Sequence, residues 1–384
     1  MRFIIDKSVY SGVLDKMRRA LHRTEDSIYR FIYHEATAEG LRMVATDMNI
    51  KIDYTIPIGN YLTIEENGSC CVLGQKLVDL IKGYPDTNIE VSLAEEKQQG
   101  ELISQRFVLE AAKGNGRKLS YWVPCSNVEG FLMGDFRFSD EIKVVKMEPS
   151  FFKKVIKKTE FATYKQQDQL ELTNIKIESF NGELCAVGSD EERIAFTIGT
   201  PGYLEGDGVF YFFNAWAKEM ISLLDDINPL EIATDGKIIM VKQSMMKFYS
   251  RQLAANYPDW KTNINREYAN GATVNKDDLV SALKNTMNSS PVSSWIFNGD
   301  EQTLSLGSDA RFGDYGAVGG GDEMIPASIN GTASFATNTQ YILDVLNNVE
   351  GEDVEIFFDL NGEAPLKIIM DNSFASLVGL LSEA

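Results

Sequence analysis

Three short stretches of the sequence each carry an aspartate where an active-site loop could place one. They are ATDMN with Asp47, GSDEE with Asp190 and GSDAR with Asp309. Carboxylates bind hard divalent cations and act as general acids or bases. No histidine or second carboxylate keeps the same spacing to all three, as a metal or catalytic site would require. A stretch that recurs along the chain, each time after a glycine-led apolar run, is instead typical of a structural element.

Other reactive side chains offer little material for catalysis. The chain has two histidines and four cysteines, and no two cysteines form the CxxC pair of a zinc site. The cysteines are expected to be buried free thiols. The glycine-rich stretches 114–118 and 316–323 lack the Gly-Lys-Ser/Thr ending of a phosphate-binding loop. We therefore predict no catalytic residue, metal or cofactor, and a protein that is not an enzyme.

Basic side chains are concentrated in predicted helices of an otherwise acidic chain, whose net charge is −19. The first helix carries Arg19. A later helix carries the row Lys153, Lys154, Lys157 and Lys158. Like charges four residues apart destabilise a helix, so a row of them indicates a binding function rather than a contribution to stability. Lysine and arginine bind phosphate groups without reading bases. From the residues alone, we predict that these five side chains bind the phosphates of a polyanion such as DNA; the alternative is an ordinary solvated helix face.

The elements that carry these residues follow one order three times: helix, strands, helix, strands. The first helices are predicted within 1–23, 147–163 and 274–290, and the second helices over 73–86, 214–229 and 338–353. Asn275 is predicted to cap its helix. Asp235-Gly236, in a further ATD stretch, is predicted to be a two-residue type I′ hairpin turn and so unrelated to the three stretches above.

The period of roughly 120–140 residues is that of a domain rather than of a solenoid repeat. Turn-rich segments lie at 124–135 and 264–272. The predicted fold class is α+β, with three similar domains at 1–135, 141–263 and 271–384.

In the order and spacing of its segments the whole chain resembles the bacterial-type DNA sliding clamp, the beta subunit of the replicative DNA polymerase. The resemblance is carried by ATDMNIKI, AVGSDEERIAF, YPDW and NTQYILDVLNNV. It implies a head-to-tail homodimer that closes into a ring, with helices inside around duplex DNA and antiparallel sheets outside. The implied function is that of a cytoplasmic processivity factor in DNA replication, which tethers the polymerase and binds the clamp loader through short peptide motifs.

The resemblance also implies site residues. Family DNA contacts correspond to Arg23 and Gln167. A partner-peptide pocket between domains 2 and 3 would comprise Thr173, Ser189, Arg193, Ile194, Pro258, Val292, Asn338, Tyr341, Val378 and Leu380. Taken alone, Ile194 and Tyr341 would be ordinary core residues, and Arg193 a surface ion pair of little energetic value.

The pocket region departs from the family pattern. Glu191-Glu192 stand where the family has Gly-His or a similar pair, and the C-terminus SLVGLLSEA lacks a Met-Pro-x-Arg-like ending. Two acids at a pocket rim should favour basic peptides over acidic ones. One hypothesis is that the chain serves a diverged replisome, such as a viral one, with its own peptide motif.

For the ring interface, the resemblance points to an edge strand over 105–111. Phe107 and Leu109 would meet the third domain of the next subunit, with Met287 opposite them. The alternative is that Phe107 and Leu109 face their own core. A further alternative for the whole protein is an interaction scaffold built from repeats that never encircles DNA.

Overall fold

Two compact units make up the chain, one of Met1–Lys146 with Glu219–Gln252 and the other of Met147–Lys218 with Leu253–Ala384. The computed structural model describes residues 1–24, 27–98, 101–113, 116–126, 131, 136–139, 141–166, 168–180, 182–198, 204–252, 257, 260–308 and 321–381. Asp309, in the third of the recurring stretches, lies outside these residues. The three-domain boundaries stay a prediction.

The predicted element order is present in all three repeats. The first contains β1 (Arg2–Asp6), α1 (Lys7–Met17), β2 (Phe31–Thr37), β3 (Gly40–Thr46), β4 (Ile50–Pro57), β5 (Leu62–Glu66), β6 (Gly68–Leu73), α2 (Gly74–Lys82), β7 (Asn88–Gln98), β8 (Glu101–Lys113) and β9 (Arg117–Ser126), with 3₁₀ turns at Arg18–Ala20 and Ile28–Arg30. The second contains β10 (Lys143–Met147), α3 (Pro149–Glu160), a 3₁₀ turn at Leu170–Thr173, β11 (Asn174–Phe180), β12 (Glu183–Ser189), β13 (Arg193–Thr197), β14 (Leu204–Glu205), β15 (Gly208–Phe213), α4 (Asn214–Leu223), β16 (Leu230–Thr234), β17 (Ile238–Gln243) and β18 (Met246–Arg251). After the short α5 (Lys261–Ile264), the third contains β19 (Asn270–Asn275), α6 (Lys276–Met287), β20 (Val292–Asn298), β21 (Thr303–Gly307), β22 (Asp322–Asn330), β23 (Ala333–Asn338), α7 (Thr339–Leu346), β24 (Asp353–Phe358), β25 (Leu366–Asp371) and β26 (Phe374–Val378).

Each repeat contains the same motif twice, namely a strand, a helix and three antiparallel strands. The motif begins at β1 and β6, at β10 and β15, and at β19 and β23. The helices begin where their sequences predict: Pro149 opens α3, and the Asn275 side chain caps α6 by accepting from the N–H groups of Asp277 and Asp278. Within the described residues, no helix is long and apolar enough to cross a membrane.

Antiparallel sheets run continuously through each unit. In the first unit the strands lie in the order β10-β16-β17-β18-β4-β3-β2-β6-β9-β8-β7-β1-β5. In the second unit they lie in the order β15-β11-β12-β13-β26-β25-β24-β19-β22-β21-β20-β23. The apolar helix faces pack into the core: α1 buries Tyr10, Val13, Leu14 and Met17. The α+β class is therefore confirmed, since few helices cover extensive antiparallel sheets.

Within each unit, a strand of one repeat pairs with a strand of the next repeat. We call such a pairing a joint, and the two joints use equivalent strands. In the first unit β4 pairs with β18, with Ile52 opposite Phe248. In the second, β13 pairs with β26, with Ile194 opposite Leu377. Each joint thus unites the last strand of the first motif in one repeat with the last strand of the second motif in the following repeat.

Asp47 and Asp190, the two repeated aspartates that lie within the described residues, form the same tight turn. Asp47 Oδ1 accepts from the N–H groups of Asn49 and Ile50, and the hydroxyl of Thr46 donates to the Ile50 carbonyl. In the second repeat, Ser189 and Asp190 make the corresponding bonds around Arg193. These carboxylates hold strand ends together, which explains why the stretch recurs.

The turn at Asp235 differs from its prediction. It spans three residues, its only positive φ is that of Gly236 at 87°, and Asp235 Oδ1 accepts from the N–H groups of Lys237 and Ile238. Since a type I′ turn needs two residues with positive φ, that prediction is wrong. The Thr234 hydroxyl donates to the Ile238 carbonyl, so this is another copy of the repeated turn.

Candidate partner pocket and DNA-facing residues

A cavity of about 330 Å³ lies in the second unit, where the start of β13 lies beside the end of the antiparallel strand β26. Its lining comprises Glu191, Glu192, Arg193, Ile194, Asn263, Gly362, Glu363, Ala364, Pro365, Leu377, Gly379 and Leu380. Below it, Val187, Phe196, Trp260, Ala375 and Leu377 form a buried cluster, against which Ile194 packs. The cavity therefore has an apolar floor on the sheet and a rim built from turns.

Arg193, predicted as a pocket residue, lines the cavity, and the alternative of a surface ion pair is wrong because its side chain is buried. Its Nε donates to Asp190 Oδ2 at 2.9 Å, Nη1 to Asp344 Oδ2 at 2.7 Å and Nη2 to the Phe161 carbonyl at 2.9 Å. The guanidinium also lies 4.5 Å from the ring centroid of Tyr341. Burial raises the pKa of Asp190, although Arg193 opposes that shift. Two carboxylates thus neutralise this cation.

Some of the other predicted pocket residues lie at the cavity, and the rest lie in turns, in a helix cap or in a separate packing contact. Ile194 and Leu380 line the cavity with Arg193, and Val378 is buried on β26 opposite Arg193. Ser189, Thr173 and Asn338 use their side chains in turns and in the cap of α7, and Tyr341 stacks on Arg193. Val292 packs with Ala336 and Leu381. Pro258 lies outside the described residues.

Several lining residues were not predicted. Leu377 alternates with Val378 along β26, so the strand pattern could have indicated it. Asn263 follows the YPDW stretch, whose Trp260 is buried in the floor. Glu363 and Pro365 come from the turn between β24 and β25, and only the pairing of β25 with β26 brings them here. No local signal identifies them.

The lysine row of α3 does not present four equivalent charges. The Lys158 side chain is 5% exposed, and its Nζ lies 3.1 Å from Glu350 Oε1 and 3.3 Å from Asp371 Oδ2. Lys154 Nζ lies 3.0 Å from the same Asp371 oxygen. Burial opposes ionisation, but pairing with Asp371 raises the pKa of Lys154. The prediction that Lys154 and Lys158 contact DNA is therefore corrected, because both ammonium groups bind carboxylates within the unit.

The remaining residues that were predicted to contact DNA differ from one another in their exposure. Lys157 is exposed and Lys153 is partly buried on α3. Arg23 is exposed after the first helix. Arg19 is exposed but bonds to Glu219 through Nη1. Gln167 lies outside the described residues.

The predicted interface strand is not at a sheet edge. Strand β8 lies between β7 and β9, and Phe107 and Leu109 are fully buried. Phe107 packs against Phe3 and His34 in its own core. The core alternative is therefore correct for both residues. Met287 is 42% exposed, so its interface role stays a prediction.

Comparison with known proteins agrees with this architecture. A family model described as the DNA polymerase III beta subunit, N-terminal domain, matches residues 1–113. The beta sliding clamp of Lactococcus lactis is 20% identical over 399 residues, covering 100% of this chain and 98% of the relative. That of Staphylococcus aureus is 22% identical over 396 residues, covering 98% of each.

Solved structures show the same fold. The beta subunit of the Streptococcus pyogenes DNA polymerase superposes with a TM-score of 0.85 at 20% identity, over 99% of both chains. The Bacillus subtilis DNA polymerase sliding clamp gives a TM-score of 0.85 at 19% identity, over 100% of both chains. Residues 1–113 thus match the N-terminal domain of this family, and the whole chain is similar in sequence and fold to bacterial beta sliding clamps, which supports a diverged bacterial-type sliding clamp.

Proposed function

We propose that the chain is a DNA polymerase processivity factor, a ring-forming clamp that encircles duplex DNA and tethers its polymerase. It does so without catalysing a reaction. The observation that carries the proposal is the repeated joint, since a chain that joins its own repeats by strand pairing can join a second copy in the same way. The three repeats would form the domains 1–135, 141–263 and 271–384.

The two strands left for such a joint are β9 and β22. By the rule of the internal joints, the last strand of a first motif pairs with the last strand of a second motif. Strands β4, β18, β13 and β26 already obey it. Strand β9 pairs with β8 along its length but with β6 only at Cys125 and Ser126. Strand β22 similarly meets β19 only through residues 327–330.

Side chains on the two strands support this joint. Tyr121 and Trp122 of β9 are each 51% exposed, and Met324 of β22 is 62% exposed. These three residues lie where their strands pair on one side only, and large apolar side chains at such open positions are typical of a surface that another strand covers. Pairing of β9 with β22 of a second copy, repeated in the opposite sense, gives a closed head-to-tail dimer.

Inside the ring, weak contacts to phosphate suffice because closure itself retains the DNA. We assign these contacts to Lys153, Lys157, Arg23 and Gln167, and the cavity at β13–β26 to the tethering of partner peptides. Sequence-independent contacts permit sliding, whereas contacts to base edges would favour fixed positions.

Topological retention is the decisive measurement. Subunits are re-associated in the presence of a nicked circular plasmid, bound protein is isolated by gel filtration, and half of the complex is linearised with a restriction enzyme. We expect protein to stay on circles and to leave linear molecules. Equal loss from both forms would contradict the ring and favour a scaffold that does not encircle DNA.

A second arm of that experiment tests the DNA-facing lysines. The K153A/K157A variant should leave circles faster and show a shallower salt dependence, by about two fewer phosphate contacts. K237A/K247A, which removes two exposed lysines around β17 and β18, is the matched control. An unchanged salt slope in K153A/K157A would remove these two residues from the DNA interface.

A further inference from the structure

We propose that the cavity at β13–β26 selects peptides in which an apolar side chain stands next to lysine or arginine. This rests on the proposed tethering function and specifies its partner. The occupant is a short cationic segment of a replication protein, rather than an acidic one.

The exposed charged side chains that line the cavity in the described part of the chain are all negative. Three exposed carboxylates line it, those of Glu191, Glu192 and Glu363. Among the lining residues that the structure describes, the only cation is Arg193, whose guanidinium is held by Asp190 and Asp344. The rim therefore presents negative charge that no lining side chain offsets.

The backbone fixes the positions of these acids. The Gly379 N–H donates to the Glu192 carbonyl at 2.7 Å, which ties the rim turn to the end of β26. Glu191 holds a φ of 74°, stabilised by the bonds that Asp190 and Ser189 make within the turn. A β-carbon at position 379 would lie 3.0 Å from the Glu192 carbonyl oxygen, so glycine leaves room for this close approach and a side chain would crowd it.

The apolar part of the cavity accepts an anchoring side chain. Ile194 and Leu380 are partly exposed and line the cavity with the buried Leu377 and with Pro365. The volume of about 330 Å³ is at the small end of ligand pockets. It fits one or two side chains of a peptide whose neighbouring residues then reach the rim.

Binding of two matched probe peptides tests the inference. Both are fluorescein-labelled heptapeptides with a central Leu-Gly-Leu, one with two lysines on each side and the other with two glutamates on each side. Fluorescence anisotropy gives their dissociation constants. Each exposed ion pair contributes roughly two- to fivefold, so the lysine peptide should bind about tenfold or more tightly at low salt. The difference should shrink at high salt because the charges are screened.

Variants assign the effect to the cavity. E191Q/E192Q/E363Q should bring the two affinities together, whereas the control E183Q/E352Q/E355Q, which changes three exposed acids outside the lining, should leave the preference intact. L380S should weaken both peptides equally.

Equal affinities, a preference for the glutamate peptide, no binding of either peptide, or an unchanged preference in E191Q/E192Q/E363Q would each overturn the inference. Retention on circular DNA is measured independently of the cavity. If the protein stays on circular DNA but fails the peptide test, only the peptide preference proposed for the cavity is wrong, and the proposed processivity function stands.

Discussion

Arg193 and Lys158 have buried charged groups that are each held by several partners. Arg193 uses all three of its nitrogens within the second unit, and Lys154 and Lys158 share Asp371. Removing one partner from such an arrangement leaves the other charge buried and unpaired, which costs far more than losing a surface ion pair. These residues are therefore expected to act on stability first.

Replacement of Arg193 by methionine should lower the free energy of unfolding by about 3–5 kcal/mol, because Asp190 and the Phe161 carbonyl lose their donor. Urea denaturation followed by circular dichroism measures this. The control K157M changes an exposed residue of α3 and should stay within about 0.5 kcal/mol of the parent. A loss below about 1 kcal/mol for R193M would show that the guanidinium is not held as described.

His34 predicts a pH dependence of stability. Its Nδ1 faces the Ile32 carbonyl at 3.0 Å and so carries the proton, while Nε2 accepts from the Tyr10 hydroxyl at 2.9 Å. Burial lowers the pKa of His34 to about 4. Since the unfolded chain binds a proton near its ordinary pKa of about 6.5, stability is complete above that pH and is lost as pH falls from there toward 4.

The loss over this window should approach about 3 kcal/mol. Unfolding free energies of the parent and of H34N are compared at pH 7, 6, 5 and 4. H34N should be weaker at pH 7 and should lack this part of the slope. Parallel pH profiles for the two proteins would refute the assignment to His34.

At the level of elements, close packing of α3 against β12 explains the glycine in Gly188-Ser189-Asp190. A β-carbon at position 188 would overlap the carbonyl oxygen of Thr159 near the end of α3. The glycine that looked like part of a catalytic loop is therefore a packing requirement, and the serine and aspartate after it form the turn.

Gly188→Ala should destabilise the protein by about 1–3 kcal/mol, as overpacking does. Gly12→Ala is the matched control, because a β-carbon there has open space on α1 and alanine favours a helix. Thermal unfolding should show the first variant lowered and the second equal to or above the parent. Equal melting temperatures for G188A and the parent would contradict this packing.

At the scale of the whole molecule, ring closure through β9 and β22 makes the oligomeric mass depend on exposed residues of two distant strands. Light scattering should give twice 42.9 kDa for the parent. W122E and M324E should each shift the mass toward one chain, because a charge would be buried in the joint. I227E, at a residue that is 84% exposed, is the control and should stay dimeric. Dimers in both strand variants would place the joint elsewhere.

Local patterns in the sequence determined much of this protein. Helical spacing, the cap at Asn275, the proline of α3 and the alternating strands depend on residues near one another, so the repeated order of elements and the α+β class followed from them. The family resemblance added the ring and the pocket, and Ile194, Arg193 and Leu380 do lie together at the cavity.

Tertiary structure decided what depends on distant partners. The pairing of β13 with β26 brings Leu377 beside Ile194, and the pairing of β26 with β25 adds Glu363. Only the placement of Asp371 and Glu350 removes Lys154 and Lys158 from the DNA-facing set. The alternating pattern that contains Phe107 is equally consistent with a core face and with an interface. Only the strand order shows that β8 is internal. Sequence spacing specifies which side of an element is apolar, whereas the neighbour that covers it is chosen by contacts between residues far apart in the chain.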